Sequence, residues 1–399
     1  MRRLLIAAAA MVLLLSSCGT SARYGWERER NKIPAFADLV LCYGGGLVKE
    51  PRYWSEDRFS AQVSYTDEKG REHWLYDAFL FIDDHEGRTG KGLSLSPSPG
   101  QKNGNKLSWH EFIDYWLAPG GAIDALANCV EETASRIGAP ARKRVIIMTM
   151  PDPVQFECFA DKSSSTTYWG DGLDFSKSED QVKAYKWFID ECRSRFALCK
   201  CKYLELGGFY VLSEDLVAKK DGLNYRYKRW DQILPEVSKY LHTMNCGLYW
   251  IPWNMAPGHD MTRTLGIDMA WMQPNAYWDE ENAKPWDRTI EAIKKHDLSM
   301  EFEFEYSVCT AAMMQPGRKA PDAHWRMTKT LADVPGFKSR FREYMKQFKD
   351  AGLYGKKPIA VYAGTDTMYM LAKSREPDDV RLYHELCHYL LDSPLRADK

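Results

Sequence analysis

The chain reads as a (β/α)8 TIM barrel, irregular after its first and fifth strands, with long loops at the C-terminal face of the sheet. Two observations predict it: strand-like runs alternate with helix-period segments until eight strands are counted, and loop length collects on one side of those strands only. The strand-like runs are Asp38 to Tyr43, Tyr76 to Asp83, Arg144 to Met150, Lys202 to Tyr210, Cys246 to Trp253, Met269 to Asn275, Ser299 to Tyr306 and Pro358 to Ala363. Helical periodicity marks about Trp109 to Ile137, Glu179 to Phe196, Tyr227 to Met244, Glu280 to His296, His324 to Ala351 and Asp378 to Leu391. Helix-to-strand links such as Gly138 to Lys143 and Ala197 to Cys201 are short. Strand-to-helix links such as Glu86 to Lys106, Phe159 to Ser178 and Cys309 to Ala323 are long, as on a barrel face that carries function. An open doubly wound sheet is the alternative.

Two sides depart from the regular pattern. Gln62 to Tyr65 and His73 to Leu75 flank Asp67-Glu68-Lys69-Gly70 and read as a β-hairpin where a crossover helix belongs. Between the fifth and sixth strands only Asp260 to Gly266 is available for a helix.

At the N-terminus, Arg2 and Arg3 precede an apolar run from Leu4 to Leu15, too short to span a bilayer and of the form of a secretory signal. It ends on Leu15-Ser16-Ser17-Cys18, which resembles the bacterial lipobox, in which the cysteine becomes the acylated first residue. The organisation expected is a signal peptide over 1–17, a lipidated tether over 18–34 and one barrel domain over 35–395. That places the body in the bacterial cell envelope, touching membrane through the lipid on Cys18 alone.

The 54 Lys and Arg balance 55 Asp and Glu without a clustered basic stripe, which argues against a nucleic-acid partner. Aromatic residues make up 13%, with 14 Trp and 22 Tyr. They furnish either a large core or a surface for sugars, whose apolar ring faces stack on flat side chains. The cysteines show no framework spacing and read as small buried apolar residues.

In a barrel only strand ends and the loops after them reach the active face. The seventh strand, Ser299-Met300-Glu301-Phe302-Glu303-Phe304-Glu305-Tyr306, alternates strictly, so three carboxylates share the face opposite the aromatics. If the aromatics pack under helices, Glu301, Glu303 and Glu305 turn inward, an arrangement that burial makes costly without a compensating role. Glu301, at the lower rim, has the alternative of solvation or a salt bridge. The fourth strand turns Glu205 inward, carries the pair Gly207-Gly208 suited to a bulge, and is followed by Glu214. Glu214 is either catalytic or a dipole-stabilised carboxylate opening the next helix.

Acids from the fourth and seventh strands resemble the large clan of retaining glycoside hydrolases, in which one carboxylic acid protonates the leaving oxygen and the other attacks the anomeric carbon or activates water. The Asn-Glu dipeptide of that clan is missing, since Ser213 precedes Glu214. Other strand ends offer Asp83, Asp84, Asp152, Tyr210, Trp253, Asn254, Gln273, Asn275, Tyr277 and Trp278 to grip hydroxyls and stack on rings. Asp83, Asp84, His85 and Asp152 also have the chemistry of a divalent-metal site, although a second well-placed histidine is missing.

Across residues 35 to 395 the body resembles a family of bacterial secreted lipoproteins defined as a domain of unknown function, numbered 4855. The stretches that carry the resemblance are Asp38 to Tyr43, Tyr65-Thr66-Asp67 through Phe81, Gly208-Phe209-Tyr210 through Glu214, and Trp271-Met272-Gln273-Pro274-Asn275. It implies a barrel and transfers no catalytic role.

The leading expectation is a cofactor-free glycoside hydrolase acting on oligo- or polysaccharide, with Glu214 as acid/base and Glu305, or else Glu303, as nucleophile or base. The alternatives are a non-catalytic surface glycan-binding lipoprotein and a metal-dependent hydrolase.

Overall fold

A computed structural model describes residues 32–44, 53–83, 92–93, 104–153, 169–216, 230–278, 286–315 and 330–398. Eight parallel strands close on themselves: β1 (Asp38–Tyr43), β4 (Ala78–Ile82), β5 (Arg144–Met150), β6 (Leu204–Val211), β7 (Gly247–Trp250), β8 (Met269–Met272), β9 (Ser299–Glu303) and β10 (Ile359–Tyr362), the last pairing back to β1. The predicted hairpin forms as β2 (Ser64–Thr66) and β3 (Glu72–Trp74), paired antiparallel outside the barrel.

The crossover helices are α1 (Glu56–Val63), α2 (Lys106–Leu117), α3 (Ala122–Ile137), α4 (Ser178–Phe196), α5 (Trp230–His242), α6 (Trp286–Lys295), α7 (Thr310–Met313), α8 (Val334–Asp350), α9 (Thr367–Lys373) and α10 (Pro377–Leu391). The single helix expected from Trp109 to Ile137 is two. Ala118, forced extended by Pro119 behind it (φ −67°, ψ 146°), ends α2, and Gly121 opens α3. Helices α1 and α9 lack enough apolar period to stand out in the sequence, and α1 is set by its Ser55 cap on the Arg58 amide. Between β7 and β8 there is only a 3₁₀ turn, His259–Met261, as the short connection implied.

Strands β7, β8 and β9 end sooner than their apolar runs suggest. Pro252 and Pro274 cannot donate to a ladder, so the sheet continues past them only as a lone bridge between Trp253 and Gln273. Gly207 is the extra residue of a bulge between β5 and β6, where the register slips between Ile146 and Ile147. A side chain at Gly208 would strike the Tyr249 ring.

Below the strands, the two ends of the described chain meet. Arg396 donates to Asp38 (2.8 Å) and to the carbonyls of Trp74 and Leu75, while Arg144 bridges Asp77 (2.7 Å) and Asp398 (2.6 Å). Among the described residues no helix is long and apolar enough to cross a membrane. Seven of the eight described cysteines are buried and all are unbridged, as expected of small apolar residues.

Candidate active site

Strand β9 behaves as its alternation requires. Phe302 packs edge-on against Tyr344 and Phe348 of α8, and Phe304 lies on Phe341, so Glu301 and Glu303 turn away from the helices.

Glu303 is buried and held by three donors: the Asn275 amide (2.7 Å) and Tyr344 hydroxyl (2.6 Å) on Oε2, and the Trp278 indole N–H (3.2 Å) on Oε1. Burial pushes its carboxyl up to about 7, and the charge of Glu214 adds to the rise, against the opposing pull of the three donors. Glu301 is also buried, and its Oε1 has no hydrogen-bond partner. Burial, then the charges of Glu303 and Glu214, lift it well above the carboxylate range. The salt bridge considered for Glu301 is not formed by any described residue.

Glu214 stands on the exposed loop after β6, where its Oε1 accepts from Gln273 Nε2 at 3.0 Å. The β8 loop thus touches both acids: Gln273 holds Glu214, while Asn275 and Trp278 hold Glu303. Its path is enforced by Asn275 in the left-handed region (φ 58°) and by Asn254, whose Nδ2 donates to the Pro274 carbonyl at 2.6 Å. Tyr210, inward on β6 beside this pair, has its hydroxyl raised by burial and then by the charges of Glu214, Glu301 and Asp152.

The other expected residues divide. Asp83 and Asp152 are buried at the ends of β4 and β5, and Trp253 is half-buried after β7. Asn254 and Tyr277 are buried in structural roles: Tyr277 is wholly enclosed, its hydroxyl on Ser307 Oγ at 2.5 Å, so its ring braces the loop from beneath and cannot reach a sugar. Glu305 is off the ladder, which ends at Glu303; it opens a 3₁₀ turn, Tyr306–Val308, and is buried against Gly364. Asp84, His85 and Cys18 lie outside the described residues, and among those described no group of three or more His, Cys, Asp or Glu could hold a metal ion.

Three participants escaped sequence reading. Tyr344 sits on a helix, where its spacing marks it only as core. Tyr362 and Tyr43 end β10 and β1, and with Trp278 they form a run of edge-to-face rings, Trp278 to Tyr362 at 5.8 Å and Tyr362 to Tyr43 at 5.5 Å. Their positions at strand ends were the available signal.

A family model described as "Domain of unknown function (DUF4855)" matches residues 38–320. No curated protein sequence matches the chain. Among solved structures it is similar to a Bacillus subtilis mannanase (10% identity, 90% of this chain and 87% of that one, TM-score 0.38). A chitinase from the chitin utilization locus of Flavobacterium johnsoniae gives 12% identity, coverage of 88% and 96%, and a TM-score of 0.41. An uncharacterized protein gives 10% identity and a TM-score of 0.28 over 54% of this chain, which spans only 44% of that protein's length.

Proposed function

We propose that this chain, which belongs to the DUF4855 family, is a glycoside hydrolase in which Glu214 and Glu303 act as the carboxyl pair. The observation that carries the reading is the β8 loop that grips both, Gln273 on one and Asn275 with Trp278 on the other. Two carboxyls that feel each other's charge titrate as a pair. Three donors favour the charge on Glu303, while Glu214 is exposed to solvent on the loop after β6. Glu214 then gives its proton to the glycosidic oxygen as the C–O bond breaks. Glu303 attacks the anomeric carbon, or activates a water if the two stand further apart. In the first case water then cleaves the glycosyl ester and its proton returns to Glu214; in the second Glu303 takes the water's proton, and the two acids regain their starting protonation by exchange with solvent. Glu303 takes the role ahead of Glu305 because its orientation is fixed by donors from three directions.

Glu303→Gln and Glu214→Gln, assayed for release of reducing ends from a panel of soluble polysaccharides, are each expected to cut turnover by roughly 10²–10⁴ while binding persists. A wild-type chain that binds a polysaccharide and releases no reducing ends from any would sink hydrolysis in favour of glycan binding. The same reading keeps the barrel outside the cytoplasm on a lipid at Cys18. Cys18→Ser should move the protein from the membrane to the soluble fraction on cell fractionation.

A further inference from the structure

Beside the mouth, where β1 ends, the surface opens into a groove of about 660 Å³ between the start of α1 and the α2–α3 turn. That volume is within the range of ligand-binding clefts. Its lining combines aromatic rings with small residues: Tyr53, Trp54 and Tyr115 face Ala118, Pro119 and Gly120. Tyr53 is 78% exposed, a large ring presented to solvent.

The groove is linked to the proposed catalytic pair through packed aromatic rings. Trp54 Nε1 donates to the Tyr43 carbonyl at 2.8 Å, and the Tyr43 ring begins the run of rings that reaches Trp278 and so Glu303. The junction is tight, since a Cβ on Gly44 would come within 2.7 Å of the Tyr115 hydroxyl and 2.8 Å of Trp54 Nε1. A chain of sugars leaving the acids across Trp278, Tyr362 and Tyr43 would arrive at Tyr53.

We propose that this groove is a distal sugar-binding site that holds the far part of a neutral polysaccharide strand whose near part lies over Glu214 and Glu303. The inference rests on the hydrolase reading and adds the substrate class, a long neutral glycan. Rings and small residues suit the apolar faces of pyranoses. The charged groups of the lining, Glu56 and Asp57, are both acidic, and Asp57 is paired with Lys373 of α9 at 3.0 Å. The lining offers no Lys or Arg to hold an anionic polysaccharide.

The test separates binding from turnover. In the full-length Glu303→Gln chain, mobility is measured in gels containing glucomannan, xylan or polygalacturonate. At least one neutral polymer is expected to retard the chain and polygalacturonate is not. Tyr53→Ala, which removes an exposed ring, and Ala118→Trp, which fills the groove, should each weaken retardation roughly three- to tenfold. With Glu303 intact, both should raise KM for that polymer and leave kcat on a nitrophenyl glycoside unchanged. Retardation unaltered by both substitutions, preferential retention by polygalacturonate, or no retention by any polymer overturns the groove. Retention that the variants weaken, in a chain that hydrolyses nothing, removes the hydrolase reading and leaves the groove standing.

Discussion

The two ends of the barrel treat buried carboxylates in opposite ways. At the floor, Asp38, Asp77 and Asp398 share two guanidiniums, with Arg144 and Arg396 almost wholly buried among them. At the mouth, Glu301 and Glu303 have no Lys or Arg partner among the described residues; Glu303 is held by neutral donors, and burial lifts Glu301 well above the carboxylate range. A paired charge fastens structure, although burial still lifts Asp38 to about 6 against the pull of Arg396. An unpaired one has its proton affinity raised into the range where it exchanges protons with a substrate, so chemistry belongs to the end that lacks cations.

The largest effect that would break this contrast lies at the floor. Arg396→Ala leaves Asp38 buried without its guanidinium and should cost about 3–5 kcal/mol, read from the urea midpoint. A loss close to zero would mean the floor is not held by its charges.

The pH dependence of stability sharpens the comparison. A carboxyl whose folded value stands above its unfolded one carries an extra proton in the native state, so stability falls as pH rises from the unfolded value through the folded one. Burial lifts Glu303 to about 7 and Asp38 to about 6, so both should cost stability as pH climbs, Glu303 over the higher window, from about 4.5 to about 7. Glu303→Gln should therefore gain melting temperature relative to wild type as pH is raised across that window. An unchanged difference between pH 4.5 and 8 would show that Glu303 ionises as an ordinary surface acid.

Tyr344→Phe keeps the ring against Phe302 and removes one donor from Glu303. The carboxyl should rise further, moving the acid limb of kcat/KM to higher pH and lowering the rate at pH 7 about tenfold. A limb that stays in place would detach Tyr344 from the reaction. The smallest effect is at Glu301, where Gln preserves shape and removes a carboxyl that burial resists ionising. Glu301→Gln should be stabilising by about 0.5–2 kcal/mol at pH 8, the opposite sign to Arg396→Ala, in the same urea titration.

Much of the barrel was legible from local pattern. Asp38–Tyr43 and Arg144–Met150 are strands over the full runs expected, because a strand buried on both faces is written as an uninterrupted apolar segment. The facing of Glu301 and Glu303 followed from period two alone. The runs that overreached, to Trp253, Asn275 and Tyr306, continue apolar or aromatic past the point where proline or the end of pairing stops the ladder. Within the site, Glu214, Glu303, Gln273, Asn275 and Trp278 were in view as candidates. Tyr277 and Asn254 were in view for a reason that does not hold, since the residue types that grip sugars also brace loops.

What the sequence determined by itself is the eightfold alternation, the inward set of carboxylates and the face on which loops accumulate, all consequences of backbone periodicity acting over a few residues. Only the tertiary structure decided which acids are brought together and which are paired with arginine. Gln273 reaches Glu214 across 59 residues of chain and Tyr344 reaches Glu303 across 41, while Arg396 returns to Asp38 from the far end of the chain. Such contacts are selected by closure of the barrel, which sets chain-distant groups side by side and then prices each charge by the water and the counter-charge left around it.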